Sequence, residues 1–227
     1  MKILILFFLL GLATARQIRI YNKCPFPTWP GIHEPGDPEG GGFRLNSGES
    51  RTIWVSDTWK AARIWPRTWC NDQMRCWTGS CGRHEKCGRA TGKPPATLAE
   101  FTLIGGGKDF YDVSLVDGYN IPVLIRPEGG HGSCRIAGGC IRDVNEQCPN
   151  DLAVRKGDGR VVGCKSRSFA YGRPEDCCTR GYGPKNCKPS ETSRMFKESC
   201  PTAYSYAYDD ATSTFTCSGA NYLVQFC

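Results

Sequence analysis

Residues 17–22 read QIRIYN, and their apolar and polar side chains alternate one by one. Alternation with a period of two is typical of a β-strand that buries one face and exposes the other. Residues 221–226 (NYLVQF), at the other end of the chain, form a second segment of strand type. We therefore predict that both ends of this 227-residue chain lie in β-structure.

Further strand-like segments follow at short intervals. They are residues 50–55, 62–65, 97–103, 110–116, 121–125 and 212–216. Turns rich in glycine or proline, such as 35–42 and 105–107, separate them, and Pro66 is expected to end the strand at 62–65. Many short strands joined by turns predict an all-β fold, either an antiparallel sandwich or a barrel.

Residues 129–200 differ from the rest of the chain because the alternation fades and cysteines crowd together. Residues 174–178 and 189–197 are predicted to form short helices. A segment of this composition buries little apolar surface, so crosslinks must hold it. We expect a β core from about 16–128 and 201–227, with a disulfide-rich lobe at about 129–200.

Residues 1–15 (MKILILFFLLGLATA) have the pattern of a secretory signal peptide, because one lysine precedes a short apolar run and a small-x-small cleavage site. The mature, extracellular chain then starts near Arg16. Disulfides persist in that oxidising route, and the odd number of 15 cysteines leaves at least one thiol without an intrachain partner.

A metal centre is not expected. Four cysteines could be drawn as a zinc cluster, but they are spaced C-x5-C rather than in the tight pattern of zinc sites. They are Cys70, Cys76, Cys81 and Cys87. No cofactor motif is found either, so we expect neither a metal nor a cofactor.

The formal net charge is +7, with the largest basic excess in residues 134–199. No dense basic run or aromatic–basic repeat indicates nucleic-acid binding. The balance is typical of a solvated surface, although attraction to anionic cell walls or lipid surfaces stays open. We expect a monomer.

Several longer motifs resemble the thaumatin-like family, also called pathogenesis-related group 5. They are residues 62–68 (ARIWPRT), 94–103 (PPATLAEFTL), 110–122 (FYDVSLVDGYNIP), 200–217 (CPTAYSYAYDDATSTFTC) and 222–227 (YLVQFC). The resemblance runs from about residue 17 to 227 and includes nearly every cysteine in order. It implies one domain at 16–227, a flattened antiparallel β-sandwich with small disulfide-rich lobes.

The family's cysteine order implies seven disulfides. They join Cys24 to Cys227, Cys70 to Cys76, Cys81 to Cys87, Cys134 to Cys217, Cys140 to Cys200, Cys148 to Cys164 and Cys178 to Cys187. Ser168 stands where the family has a further cysteine, so Cys177 is expected to be a buried free thiol or an intermolecular crosslink site. The loop at 71–75 is short for the family, and Ser80 replaces its usual acidic residue.

The family also has an arginine and several carboxylates in a cleft beside the sandwich. Matched by motif, these substrate-binding candidates are Arg63, Glu100, Asp112, Asp117 and the pair Asp209 and Asp210, of which Asp210 is preferred. Clustered carboxylates raise one another's pKa, and a forked arginine contact holds one of them ionised. Such a set can bind sugar hydroxyls, and a carboxyl pair with separated pKa values can hydrolyse a glycosidic bond.

One geometric condition follows from the spacing of Asp112 and Asp117. Residues five apart on a regular strand face opposite sides, so both reach one cleft only if the chain bends between them or if Asp117 lies in a turn, as Gly118 suggests. The alternative is that some of these carboxylates are surface residues or brace loops through ion pairs.

The resemblance implies a secreted defence protein that binds β-1,3-glucan or a related cell-wall polysaccharide and perturbs fungal walls or membranes. Some relatives have weak endo-β-1,3-glucanase activity, for which Glu100 would be the general acid and Asp117 or Asp112 the base or nucleophile. The alternative is a non-catalytic interaction protein, either an enzyme inhibitor or an extracellular structural component, that acts through surface loops and the basic lobe.

Overall fold

The computed structural model describes residues 15–33 and 38–227, which form twelve strands, five α-helices and one short 3-10 helix (Pro38–Gly41). The strands are β1 (Ala15–Asn22), β2 (Thr28–His33), β3 (Ser50–Ser56), β4 (Ala62–Thr68), β5 (Leu98–Thr102), β6 (Lys108–Ser114), β7 (Val123–Glu128), β8 (Ala137–Gly138), β9 (Ala153–Arg155), β10 (Val161–Cys164), β11 (Phe215–Ser218) and β12 (Asn221–Phe226). The helices are α1 (Val144–Gln147), α2 (Arg167–Tyr171), α3 (Pro174–Cys177), α4 (Glu191–Ser199) and α5 (Asp210–Ser213). Apart from Ala15, the predicted signal peptide lies outside the described residues.

Two five-stranded sheets form the body of the protein. The first has the order β3-β1-β12-β7-β8 and the second the order β11-β6-β5-β4-β2, while β9 and β10 make a separate hairpin. Every strand pair of the two sheets is antiparallel except β1 with β12, which run parallel. The all-β prediction is confirmed, with this one parallel pair as an addition.

The core lies between the two sheets, where the alternating side chains of each strand meet. Ile18 and Ile20 of β1 are fully buried there, as the QIRIYN pattern predicts. Three aromatic rings connect the sheets, since Tyr222 of β12 lies 5.3 Å from Phe101 and 5.2 Å from Tyr111, measured between ring centres. Rings at such distances add to the burial energy of the core.

The first sheet joins the two ends of the described chain. β12 lies between β1 and β7, and the Cys24–Cys227 disulfide closes a span of 203 residues beside it. In the chain-entropy model, closing a loop of this length raises the free energy of the unfolded state by about 5 kcal/mol. β8 falls within the segment expected to be a lobe, yet it pairs with β7 at the edge of this sheet.

Seven disulfides are present, and they join the cysteine pairs that the resemblance implies. Cys177 is the free cysteine of the described residues. Its thiol is half-buried and in direct contact with the hydroxyl of Ser168, the residue that replaces the family's cysteine.

Helices α1 to α4 lie in the cysteine-rich segment. The longest, α4, begins where the Ser190 hydroxyl accepts a hydrogen bond from the Ser193 backbone N–H. A serine at this position satisfies a backbone donor that the first turn leaves free. No helix of the described residues is long and apolar enough to cross a membrane.

Three local predictions differ from the structure. Pro66 does not end β4, which continues to Thr68 with Pro66 opposite Pro30. β5 pairs with β4 only as far as Ile64. No carbonyl group of β5 therefore lies opposite Pro66 and lacks the N–H that proline cannot supply. Strand β2 was not predicted, because its Trp-Pro-Gly sequence is typical of a turn.

The predicted strand at 212–216 was also wrong in its first half. Asp210–Ser213 forms the helical turn α5, and strand β11 begins only at Phe215. The threonine- and serine-rich sequence suits either conformation, and the helical turn is closed by a hydrogen bond from the Thr214 N–H to the Asp210 carbonyl.

Candidate functional site

The register of three neighbouring strands places Arg63, Glu100 and Asp112 in one row. Arg63 of β4 lies opposite Glu100 of β5, and Glu100 lies opposite Asp112 of β6. Directly opposite residues on antiparallel strands point to the same face of the sheet. All three side chains therefore project from the outer face of the second sheet, away from the core.

Asp117 reaches the same place through a turn. Strand β6 ends at Ser114, and Asp117 lies in the turn that follows. The turn requires glycine at position 118, where φ is +98° and a Cβ atom would stand 2.6 Å from the Cys164 carbonyl oxygen. The odd spacing between Asp112 and Asp117 is thus compatible with one site because the chain leaves the strand between them.

These four residues line a solvent-open cleft of about 250 Å³. We call it the acidic cleft. The sheet forms its floor, and Tyr204 and Ala207, which follow α4, contribute to its wall together with Val116. Three carboxyl groups and a single guanidinium meet there, so the cleft is acidic although the chain as a whole is basic.

Arg63 and Glu100 form an ion pair, with 2.8 Å between Arg63 Nε and Glu100 Oε1. Burial raises the pKa of the Glu100 carboxyl, Arg63 opposes this shift, and the nearby charge of Asp117 adds to it. The Arg63 side chain is 43% exposed and that of Glu100 27% exposed, so a ligand can still reach the pair.

Asp112 is the most perturbed carboxyl of the cleft. Burial raises its pKa from an ordinary 3.8 to about 8; the Glu100 charge adds to this, Arg63 opposes it, and Asp210 raises it further. Its Oδ1 atom is buried and has no hydrogen-bond partner among the described residues. At neutral pH this side chain is largely a neutral acid, which can donate a hydrogen bond or a proton.

The structure separates Asp209 from Asp210, which the sequence could not do. Asp209 accepts hydrogen bonds from the backbone N–H and the hydroxyl of Ser205 and lies 3.0 Å from Lys197 Nζ. It braces the loop. Neither Asp209 nor Asp210 is among the residues that line the acidic cleft, and their assignment as binding residues stays a prediction. Asp210 is exposed and accepts a hydrogen bond from the Tyr204 hydroxyl at the cleft wall.

Sequence reasoning missed two side chains that belong to this surface. Tyr204 lines the cleft, and the tyrosine-rich run at 204–208 gave no indication of which ring would do so. Phe110 is 43% exposed and lies two residues before Asp112 on β6, therefore on the same face. Its cross-strand neighbours are Thr102 and Thr216. The alternation of residues 110–113 (FYDV) already indicates that Phe110 lies on the same face as Asp112.

The chemistry available in the cleft follows from these environments. Asp112 supplies a neutral acid and Asp117 a half-buried carboxylate that makes no hydrogen bond or ion pair among the described residues. Glu100 is already matched with Arg63. The set can donate to and accept from sugar hydroxyls, and it holds carboxyl groups in different protonation states, as acid–base hydrolysis requires.

Comparison with known proteins gives the family. Residues 22–227 match the model of the thaumatin family. The chain belongs to this family. The thaumatin-like chain is 48% identical over 223 residues to pathogenesis-related thaumatin-like protein 3.5 of Cryptomeria japonica, an alignment that covers 95% of this chain and 91% of that relative. Pathogenesis-related protein 5 of Arabidopsis thaliana is 48% identical over 233 residues, covering 98% and 95%.

A solved structure shares the thaumatin-like architecture. It is a laminaripentaose-producing β-1,3-glucanase in complex with laminaritetraose, superposed with a TM-score of 0.63 over 93% of this chain and 98% of that one. The sequence identity is 11%, so the likeness shows a shared fold.

Proposed function

We propose that this thaumatin-like chain is a secreted defence protein that binds β-1,3-glucan or a related cell-wall polysaccharide in the acidic cleft, with antifungal action as the outcome. The observation that carries the proposal is the row of Arg63, Glu100 and Asp112 with Asp117 beside it, all in one open cleft. A polysaccharide needs a groove open to solvent, because the chain must continue beyond the bound residues.

The cleft suits sugar hydroxyls, since it offers donors and acceptors side by side. Arg63 and the neutral Asp112 donate, whereas Asp117 and Glu100 accept, and charged partners make the stronger hydrogen bonds. Asp112 lines the cleft, and its buried Oδ1 atom has no protein partner in the described residues, which disfavours the ionised form and keeps the group a donor.

The experiment compares retention on insoluble β-1,3-glucan for the wild type and for Asp112→Ala and Glu100→Gln variants. Each variant should lower the retained fraction about tenfold, because Asp112→Ala removes a hydrogen-bonding carboxyl group and Glu100→Gln removes a charge from the cleft. Glu175→Gln is the matched control, as Glu175 is an exposed carboxylate of α3 outside the cleft. Undiminished retention of both cleft variants would exclude the cleft as the binding site.

The same variants, tested for inhibition of fungal growth, address the alternative of a non-catalytic interaction protein. If growth inhibition of fungi persists in both cleft variants but disappears when lysines and arginines of residues 134–199 are neutralised, the basic lobe rather than the cleft is responsible. Secretion of the protein is tested by expressing the full chain and sequencing the amino terminus of the exported protein. The mature chain should begin near Arg16.

Weak endo-β-1,3-glucanase activity is a second candidate function, favoured by the raised pKa of Asp112. In this scheme Asp112, in place of Glu100, donates its proton to the leaving glycosidic oxygen, and Asp117 takes a proton from the attacking water. Release of reducing sugar should be lost in Asp112→Asn. Release that is unchanged in this variant would remove Asp112 from the acid role.

A further inference from the structure

A second concave surface lies outside the acidic cleft and shares no residue with it. We call it the aromatic groove; it has a volume of about 510 Å³, about twice that of the acidic cleft. Three rings and three charged side chains dominate its lining, namely Phe26, Trp29, Trp69, Arg44, Asp72 and Glu85. Asp72 and Glu85 belong to the two loops closed by the Cys70–Cys76 and Cys81–Cys87 disulfides.

The rings are held in place by the surrounding structure. Phe26 packs on Trp69 with 4.4 Å between ring centres, and the Lys156 ammonium lies 4.5 Å from the Trp69 ring centre. The backbone carbonyl of Trp29 accepts a hydrogen bond from Nε of the fully buried Arg67. All three rings are half-buried, so they present a fixed apolar floor rather than a flexible surface.

The rim of the groove carries three exposed, charged side chains. Arg44, Asp72 and Glu85 are exposed, and among the described residues none of their charged groups forms an ion pair or a hydrogen bond. The Arg44 guanidinium lies 5.5 Å from the Trp29 ring centre, at the mouth of the groove. Two carboxylates and one guanidinium lie on the rim, and Lys156 and Arg160, which both pair with Asp158, lie beside Trp69, so neither sign is in strong excess.

We infer that the aromatic groove is a second carbohydrate-binding site, which takes a neutral β-linked pyranose chain. The apolar C–H face of a pyranose ring packs on the aromatic floor, and its hydroxyls bond to the carboxylates and the guanidinium of the rim. A strongly ionic ligand is disfavoured by the mixed signs of the rim. The inference holds whether or not the acidic cleft binds glucan.

The chain contains internal reporters for a test by NMR of tryptophan indole N–H signals. Laminarihexaose, cellohexaose and xylohexaose are titrated separately into the folded protein. At least one should shift the signals of Trp29 and Trp69 in a saturable manner. Trp54 is the matched control, because it is 61% exposed on β3 and lies outside the groove.

Three variants decide the assignment. Trp29→Leu should abolish the saturable shift of Trp69, and Asp72→Ala, a change in an exposed loop, should weaken binding about fivefold. Asp112→Asn should leave the groove signals and their affinity unchanged, which separates this site from the acidic cleft.

The inference is overturned if no oligosaccharide gives a saturable shift at Trp29 and Trp69, or if neither groove variant weakens the response. It is equally overturned if Asp112→Asn removes the groove signals, since these would then report binding in the cleft. A response to acidic or basic peptides without one to the sugars would assign the groove to a protein partner instead.

Discussion

Strand β6 carries one carboxyl group on each face of the second sheet, and the two groups differ in how completely the protein supplies their hydrogen-bond partners. Asp109 of β6 points inward, is fully buried, accepts hydrogen bonds from the Tyr222 hydroxyl and the Ile104 N–H, and lies 3.8 Å from the Arg16 guanidinium. Asp112 points outward, is half-buried, and has an oxygen without a partner. A completed set of partners stabilises a buried carboxylate and the fold around it, whereas an incomplete set disfavours the ionised form of the group.

The largest effect should come from the inward carboxylate. Asp109→Ala removes the hydrogen bonds from the Tyr222 hydroxyl and the Ile104 N–H, and it removes the ion pair with Arg16, whose guanidinium keeps only its hydrogen bond to the Ala220 carbonyl. The free energy of unfolding should therefore fall by about 3–5 kcal/mol. Equilibrium urea denaturation of the variant and the wild type measures this loss. Asp158→Ala, an exposed carboxylate, is the control; an equal loss there would contradict the comparison.

Substitution of the outward carboxyl group, Asp112, should raise the free energy of unfolding instead of lowering it. The folded-state pKa of Asp112, about 8, lies above its ordinary 3.8, so the folded protein binds a proton more tightly than the unfolded chain, and stability declines as pH rises between these values. Asp112→Asn should therefore raise the free energy of unfolding by roughly 1–3 kcal/mol at pH 8, allowing for solvent screening.

This gain should shrink towards pH 4, where Asp112 is protonated in the folded chain and largely protonated in the unfolded one. Thermal denaturation of both proteins across the pH range measures the difference. A stability difference between the two proteins that does not depend on pH would show that the folded-state pKa of Asp112 is not raised.

Glucan retention should itself depend on pH through the same group. Above about pH 8 Asp112 loses its proton, which removes a hydrogen-bond donor and adds a negative charge to the cleft. We expect retention to fall several-fold through this range, and the fall should be absent in Asp112→Asn. An equally steep profile in that variant would place the titrating group elsewhere.

The smallest effects should separate the neighbours Asp209 and Asp210. Asp209→Ala breaks the contacts to Ser205 and Lys197 and should cost about 1–2 kcal/mol of unfolding free energy. Asp210→Ala should cost under about 0.5 kcal/mol, because its carboxylate is exposed. Chemical denaturation of the two variants, measured side by side, tests the order; the reverse order would make Asp210 the brace.

The sequence predicted the strands best where one face of the strand is buried. QIRIYN in β1 shows the expected alternation of burial, whereas three consecutive residues of β12, 222–224, are buried. β2 was missed because Pro30 and Gly31 conceal a buried strand, and the parallel pairing of β1 with β12 joins segments too distant in sequence for periodicity to report.

At the candidate site, residue identities were predictable but environments were not. Arg63, Glu100, Asp112 and Asp117 line one cleft, yet neither the missing partner of Asp112 nor the bracing role of Asp209 is written in local sequence. Both depend on which neighbours the tertiary structure supplies. The aromatic groove shows the same limit, since nothing in the local sequence indicates that Trp29 and Trp69 line one surface.

The position of β12 has a consequence for biogenesis. β12 follows β1, β3, β7 and β8 along the chain, yet it lies inside the first sheet, between β1 and β7, and the neighbouring Cys227 is bonded to Cys24. The first sheet therefore cannot be completed until residues 221–227 have been synthesised. Until then the β12 side of β1 stays unpaired, and an unpaired strand edge is open to wrong pairing.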